Sequence, residues 1–244
     1  MRTSRPGASK KVMAIAITFV FVLCCGALLW FITHKSQGGN ENLLEKLGIP
    51  AYDGQPYVQV NGNVPFFTQE EMQSQSYEHY SPLDLLGRCG VASANIGREL
   101  MPTQERGAIG KIKPTGWQQA KYEGIIDSKP PYLYNRCHLI AYCLTGENDN
   151  ERNLLTGTRY MNVEGMLPFE LQVARYLDAE EARVLYRVTP VFEGDNMLAS
   201  GVLMEAYSLT DAGEGICFCV YCYNVQPGIE IDYRTGENRV ETRR

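Results

Sequence analysis

The sequence predicts an α+β domain built on an antiparallel sheet, and two observations support this fold class. Three late stretches, RVLYRVTPVFEG, MLASGVLMEAYSL and GICFCVYCYNV, are rich in β-branched and aromatic residues and predict strands. One convincing helix follows Asn162, where apolar residues recur at helical spacing. Strands in series with few helices favour an antiparallel sheet.

The first half of the domain contributes shorter elements. YVQVNGNVPFF alternates about Asn61-Gly62, which predicts a hairpin. TQEEMQSQ begins with a capping threonine followed by acids, which predicts a short helix. SPLDLLGRCGVASANI predicts a turn and then a strand of small residues. The Gly-, Pro- and Lys-rich stretch 109–132 predicts loops with short strands.

The second half contributes the longer elements. GICFCVYCYNV is almost continuously apolar, so we expect it inside the sheet. Pro168 predicts a kink or a late start for the helix. PGIEIDYRTGENRV predicts a tight turn at Thr235-Gly236 that ends the fold. The apolar face of the helix is formed by Met166, Phe169, Val173, Tyr176 and Leu177.

The N-terminus predicts a membrane anchor. Val12 to Ile32 is a run of 21 residues without a charge, and a helix needs about 20 residues to cross a bilayer core. Four basic residues precede the run, so the positive-inside rule places the tail in the cytoplasm and the domain outside the cell. The alternative is a secreted protein with a cleaved signal peptide, but the run is long and no clean cleavage site follows it. A lipoprotein would need a small residue before Cys24 or Cys25, and none is present.

The chain therefore divides into four predicted segments. Residues 1–11 form a cytoplasmic tail, 12–32 a transmembrane signal anchor, 33–49 a polar stalk, and 50–244 one extracellular domain. The formal net charge is −5. Without the four basic residues of the tail, 19 Lys+Arg (23 − 4) face 28 Asp+Glu, so the exported part is near −9. A nucleic-acid partner would therefore require a locally basic cleft.

Six cysteines follow the apolar run, and export permits disulfides among them. Fifteen full pairings leave the connectivity open. Cys217 and Cys219 would lie on one face of a strand and Cys222 on the other. A zinc site at these three cysteines lacks a nearby fourth ligand, so buried thiols are the simpler interpretation.

The segment YNRCHLI predicts a strand end that carries Arg136 and His138 on one face. A neighbouring guanidinium lowers the pKa of an imidazole, and a neutral histidine can accept a proton from water. An arginine can hold a phosphate with two hydrogen bonds. Together these groups fit attack on a phosphodiester. From these residues alone, a structural histidine remains the alternative.

Three residues after His138 could offer oxygen ligands to a hard cation such as Mg²⁺. Asn153 and Asn162 offer neutral amide oxygens, and Glu170 lies eight residues after Asn162 on a similar helix face. Glu170 could therefore orient a metal-bound water. Asparagines near glycines are also common turn residues, so this alternative stays open.

These residues resemble the DNA/RNA non-specific endonuclease family, the secreted ββα-metal (His-Me finger) nucleases. That family carries Asp-Arg-Gly-His on a strand, then an asparagine, a second asparagine nine residues later that opens a helix, and a glutamate. Here NRCH ends at His138 and is followed by Asn153, Asn162 and Glu170. NLLTGTRYMN and YRVTPVFEGDN are also similar to bacterial members, and the resemblance extends from about Pro50 to Val240.

The resemblance implies a ββα-metal motif and specific catalytic roles. His138 would be the general base that deprotonates the attacking water. Arg136 would hold phosphate. An upstream arginine stabilises the transition state in the family, and Arg88 is our candidate.

The resemblance also implies a metal site. Asn162 would bind Mg²⁺ directly, with Mn²⁺ as a substitute. Asn153 would support the histidine or the metal, and we include it in the predicted metal site. Glu170 would contact metal-bound water.

Two positions depart from the motif. Asn135 replaces its aspartate and Cys137 replaces its glycine, and neither change removes the base or the metal ligand. Cys137 and Cys89 each adjoin a proposed catalytic arginine. We therefore hypothesise a Cys89–Cys137 disulfide, with two buried thiols as the alternative.

The expected function is a membrane-anchored, extracellular, Mg²⁺-dependent endonuclease. Its substrates would be DNA and RNA with little sequence preference, because phosphates carry no sequence information, and it would need no small-molecule cofactor. One alternative is a weak or inactive nuclease-like surface module that binds DNA for uptake or adhesion. Another is a structural or partner-binding ectodomain without metal dependence. The oligomeric state stays open.

Overall fold

The computed structural model describes residues 43–242 and contains a central six-stranded sheet. Every pair of neighbouring strands is antiparallel, in the order β1-β8-β7-β6-β3-β2. The strands are β1 (Tyr57–Gln59), β2 (Tyr77–Tyr80), β3 (Ala92–Ile96), β6 (Val184–Val191), β7 (Gly201–Ser208) and β8 (Cys217–Tyr223). The predicted α+β fold with a central antiparallel sheet is confirmed.

The three late strands lie where their composition predicts. β6, β7 and β8 are adjacent in the sheet, and β8 lies between β7 and the short edge strand β1. Both faces of β8 are covered, which explains its nearly continuous apolar sequence. Cys222 packs in the core on one face of the sheet and Cys219 in the core on the other.

The predicted hairpin at Asn61-Gly62 is wrong. β1 pairs with β8 instead, and Tyr57 lies opposite Cys222. Asn61–Asn63 forms a 3₁₀ turn in which all three residues have positive φ. The Asn63 side chain then accepts a hydrogen bond from the Cys219 N–H at 3.1 Å. The alternating pattern correctly indicated the strand β1, but the partner of β1 is distant in the sequence.

One long helix, α4 (Leu167–Ala179), packs on the face of the sheet that contains Cys222. A π-helical segment, Met161–Met166, leads into it. Pro168 lies in the first turn of α4, but the helical stretch already begins in the π segment before it, so Pro168 does not mark a late start. Val173 and Leu177 are fully buried in this core. Replacing either by alanine would cost a few kcal/mol, about 2–5 for a leucine.

The folded domain begins before residue 50. α1 (Leu43–Lys46) and the residues after it pack their apolar side chains on the opposite face of the sheet, which contains Cys219, Val60 and Tyr221. Residues 43–49 thus belong to the domain, and the predicted stalk boundary is wrong for them, because their side chains cover apolar strand surface. The predicted tail, anchor and residues 33–42 lie outside the described residues. None of the helices within residues 43–242 is long and apolar enough to cross a bilayer.

A separate two-stranded sheet contains the NRCH motif. β4 (Tyr134–His138) pairs with β5 (Leu154–Thr158), and His138 lies opposite Leu154. The chain then enters the π segment and α4, so β4, β5 and α4 form a ββα unit. The remaining short helices are α2 (Gln69–Met72), with the predicted Thr68 cap, and α3 (Tyr142–Thr145). The final hairpin, β9 (Ile229–Ile231) and β10 (Asn238–Val240), turns at the predicted Thr235-Gly236.

All six cysteines of the described chain are free, so the hypothesised Cys89–Cys137 disulfide is wrong. Cys137 is fully buried and points to the face of β4 opposite His138. It lies against Gly157 on β5, where a methyl group would collide with its Sγ. Burial raises the pKa of both Cys89 and Cys137, as expected for inert core thiols.

Candidate active site

A cleft of about 600 Å³ opens beside β4 and collects four of the predicted residues. Arg136 and His138 enter it from β4, Asn162 from the π segment and Glu170 from α4. The predicted placement of Arg136 and His138 on one strand face is confirmed. Arg106 also lines the cleft, and Glu170 is the single acid among the described residues that line it. An acidic protein therefore contains a locally basic cleft.

His138 is the last residue of β4 and is only 6% exposed. Its Nε2 lies 2.8 Å from the main-chain oxygen of Asn148. Its Nδ1 lies 3.2 Å from an Nη2 of Arg106. A carbonyl can only accept and a guanidinium can only donate, so these partners assign the proton to Nε2 and the lone pair to Nδ1. Nδ1 is thus the nitrogen that can accept a proton.

The imidazole is neutral at neutral pH. Burial and, to a smaller extent, the nearby Arg106 charge together lower the pKa of His138 to about 4, although the hydrogen bond to Asn148 opposes the shift. A lowered pKa was expected from a neighbouring guanidinium. The structure shows that burial is the larger cause and that the guanidinium belongs to Arg106 rather than Arg136.

Glu170 is a buried acid without a hydrogen-bond donor in the described chain. Its pKa is raised to about 8, because the effect of burial exceeds the opposing effect of the Arg106 charge. Asn162 lines the same cleft, and its side-chain amide makes no hydrogen bond to residues 43–242. A carboxyl group and an amide oxygen that both face a cleft without protein partners suit a hard cation, whose charge favours the ionised carboxylate. No group of three His, Cys, Asp or Glu side chains in the described part could hold a metal, so water would complete such a shell.

The π segment explains how Asn162 reaches the cleft. The N–H of Leu167 donates to the carbonyl of Asn162, five residues earlier, and this widens the turn before α4. Such segments are rare and concentrate at functional sites. Asn162 and Glu170 consequently lie on the same side of one continuous helical stretch and line one wall of the cleft.

Asn153 is not a metal ligand, and this prediction is corrected. Its side chain is fully buried and is absent from the cleft wall. Its Oδ1 accepts from the Ile140 N–H at 2.9 Å, and its Nδ2 donates to the Ile140 carbonyl at 3.0 Å. Its own carbonyl accepts from Leu139. Asn153 therefore holds the chain that follows His138, as the supporting role would require.

Arg136 lines the cleft but is already engaged. Its Nε donates to the carbonyl of Ile112, and its Nη2 donates to that of Gly110 at 2.9 Å. Its guanidinium also lies 4.3 Å from the ring centroid of Trp117. Nη1 makes no hydrogen bond within residues 43–242, so one donor group stays free for phosphate.

Arg88 does not line the cleft, whereas Arg106 does and contacts His138. Arg88 forms an ion pair with Asp84 at 2.7 Å and donates to the carbonyls of Gly194 and Asn196. These contacts lock a loop outside the cleft. Arg106 lies on a loop without periodic pattern, so only its positive charge in a glycine-containing stretch could have indicated it. Asn148 contributes its main-chain oxygen, which every residue type has, so the sequence could not have indicated this contact.

The family model described as DNA/RNA non-specific endonuclease matches residues 68–209 of this chain. The chain belongs to the DNA/RNA non-specific endonuclease family. The matched residues of this family member include β4, β5 and α4, and therefore the whole ββα unit and the cleft residues Arg106, Arg136, His138, Asn162 and Glu170.

Solved structures of other nucleases share the fold of this endonuclease family member. NucA from Streptococcus agalactiae with magnesium ion bound is 25% identical, covers 84% of this chain and 97% of its own, and superposes with a TM-score of 0.70. Sda1 nuclease with bound zinc ion is 27% identical over 68% of this chain and 82% of its own, with a TM-score of 0.57. An extracellular endonuclease at 18% identity covers 78% of this chain and 100% of its own, with a TM-score of 0.53, and shows the common fold alone.

Proposed function

We propose that this protein is a metal-dependent endonuclease that hydrolyses phosphodiester bonds of DNA and RNA with little sequence preference. One observation carries the proposal. A buried, neutral histidine with its proton on Nε2 shares a cleft with two arginines and with two oxygen donors that lack protein partners. Basic groups that contact phosphates rather than bases give affinity without sequence preference.

His138 is the general base of this proposal. Its Nδ1 accepts a proton from the attacking water, and Nε2 remains hydrogen-bonded to the Asn148 carbonyl, which stabilises the imidazolium that forms. Arg106 now donates to Nδ1 and must release it before water can bind there. Arg106 is exposed, so its guanidinium can turn to the phosphate and stabilise the charge that develops on it. The free Nη1 of Arg136 gives a second phosphate contact.

The oxygen donors of the cleft fit a divalent cation. Asn162 would hold the ion through its amide oxygen, and Glu170 would hold it through a water molecule. We propose Mg²⁺, with Mn²⁺ as a substitute, because oxygen ligands suit both ions. NucA was solved with magnesium and Sda1 with zinc. When bound, such a cation stabilises negative charge on the phosphate and on the leaving oxygen.

We further propose that the domain acts outside the cell and is held at the membrane by residues 12–32. The support is the uncharged run of 21 residues and the basic residues before it. Secretion after cleavage is the alternative, and the mass of the mature protein distinguishes the two.

Cleavage of supercoiled plasmid tests the proposed activity. The wild type should cut in Mg²⁺ and should not cut in EDTA, and His138→Ala should lower the rate by about 10²–10⁴-fold. His79→Ala is the matched control, because His79 is exposed on β2 and lies outside the cleft. Undiminished cutting by His138→Ala would exclude the proposed base. A folded wild type that binds DNA without cutting would favour the surface-binding module.

A further inference from the structure

A cation–aromatic pair lies beside the N-terminal end of β4, at the opposite end of this strand from His138. Its tyrosine, Tyr132, lines the cleft and remains 40% exposed. The Nζ of Lys121 lies 5.1 Å from the centroid of this ring. Lys121 is exposed and makes no ion pair with the described residues. The pair thus offers a ring and a positive charge that the catalytic centre does not use.

The backbone holds this pair in line with the catalytic strand. Lys121 and Tyr132 form an antiparallel bridge, and the Leu133 N–H donates to the Ala120 carbonyl at 3.0 Å. Gln119 continues the pairing by bonding its side-chain amide to the main chain of Tyr134. The segment 119–122 therefore pairs with the residues at the N-terminal end of β4 and holds Tyr132 in place next to this strand.

Tyr132 precedes the strand β4, and His138 ends it, so the two residues line different parts of the cleft. Six residues separate Tyr132 from His138, which corresponds to at most about 20 Å of extended chain. A strand of B-DNA advances about 3.4 Å per nucleotide, so this span corresponds to at most about six steps, and to fewer in a more extended single strand. A nucleotide on the ring of Tyr132 would therefore be a neighbour along the strand of the nucleotide that is cleaved.

We propose that Tyr132 and Lys121 form a remote subsite for an unpaired nucleotide of a single-stranded substrate. The inference rests on the proposed nuclease function and adds a substrate preference to it. The flexible stem of Lys121 lets its ammonium move from the ring to a neighbouring phosphate, and a base then stacks on the ring. Such stacking accepts any base and so agrees with low sequence preference. A paired base must first leave its duplex, which has an energetic cost, so single strands gain more from this subsite.

Steady-state kinetics of the full chain test the subsite with three kinds of substrate. Tyr132→Ala should raise KM for a long single-stranded oligonucleotide by about 5- to 100-fold, the effect of one lost base-stacking contact, with kcat unchanged. The rise should be smaller for the matching duplex. It should be absent for bis(p-nitrophenyl) phosphate, which carries no neighbouring nucleotide that could occupy the subsite. Tyr132→Phe keeps the ring and should behave as the wild type.

The lysine has a matched control. Lys121→Gln should raise KM for the single strand and reduce the salt dependence of binding by about one phosphate contact. Lys129→Gln removes the same charge from an exposed lysine outside the cleft and should change neither. Equal effects of the two substitutions would reduce the role of Lys121 to general charge and would overturn its place in the subsite.

Binding measurements separate failure of the subsite from failure of the nuclease function. Fluorescence anisotropy of a labelled single strand in EDTA compares His138→Ala with the double variant that also carries Tyr132→Ala. Weaker binding by the double variant supports the subsite even if the wild type cuts nothing. Equal binding overturns it even if the wild type is an active nuclease. Loss of small-ester hydrolysis in Tyr132→Ala would also overturn it, because the ring would then act at the catalytic centre.

Discussion

Replacing His138 by asparagine should change how stability depends on pH. Burial and the Arg106 charge lower the folded-state pKa of His138 to about 4, whereas the ordinary value is 6.5. Between these values the unfolded chain binds a proton that the folded protein does not bind, so the wild type loses stability as the pH falls. The slope is about 1.4 kcal/mol per pH unit. Across the interval from 6.5 to 4 the loss approaches about 3 kcal/mol. Asparagine does not titrate and avoids this loss.

The measurement is urea unfolding followed by circular dichroism in metal-free buffer, from pH 7.5 down to 4.5. The difference in unfolding free energy between variant and wild type should be flat above pH 6.5. Below this pH it should move steadily in favour of His138→Asn. His79→Asn replaces an exposed histidine and should show no such trend. A constant difference at all pH values would show that folded His138 titrates normally and would refute the buried neutral imidazole.

Two further predictions separate residues that the sequence could not tell apart, and a third concerns the free cysteines. Arg106→Ala should lower kcat by about 10²–10³-fold, whereas Arg88→Ala should keep kcat and lose about 2 kcal/mol of stability with its ion pair and carbonyl contacts; kinetics and thermal melting check both. Asn162→Ala should raise the Mg²⁺ concentration for half-maximal activity without changing the melting temperature. Asn153→Ala should instead lower the metal-free melting temperature, because it leaves the buried amide of Ile140 unpaired, at about 1–3 kcal/mol per group. Reducing agent should change neither the activity nor the melting temperature, since the described cysteines are free. A lower activity or a lower melting temperature in reducing agent would contradict the absence of disulfides among them.

Local patterns were sufficient for most of the elements. The strands β6, β7 and β8 follow from runs of β-branched and aromatic residues, and the cap of α2 follows from Thr68 and Glu71. Pro168 indicated an irregularity near the start of α4, where the π segment lies. Each of these signals depends on neighbours within a few residues. The hairpin at Asn61-Gly62 failed because the partner of β1 is β8, more than 150 residues later, and alternation does not specify a partner.

The sequence by itself determined the order of the chemistry-bearing residues and the strand face shared by Arg136 and His138, since alternation along a strand is local. Only the tertiary structure decided which arginine reaches the histidine. Arg106 lies 32 residues before His138, on a loop whose path depends on contacts such as that between Arg136 and Gly110. The tautomer of His138 depends likewise on the main chain of Asn148. Hydrogen bonds and charges act through distance in space, and the distances across this cleft exist only once the loops have packed.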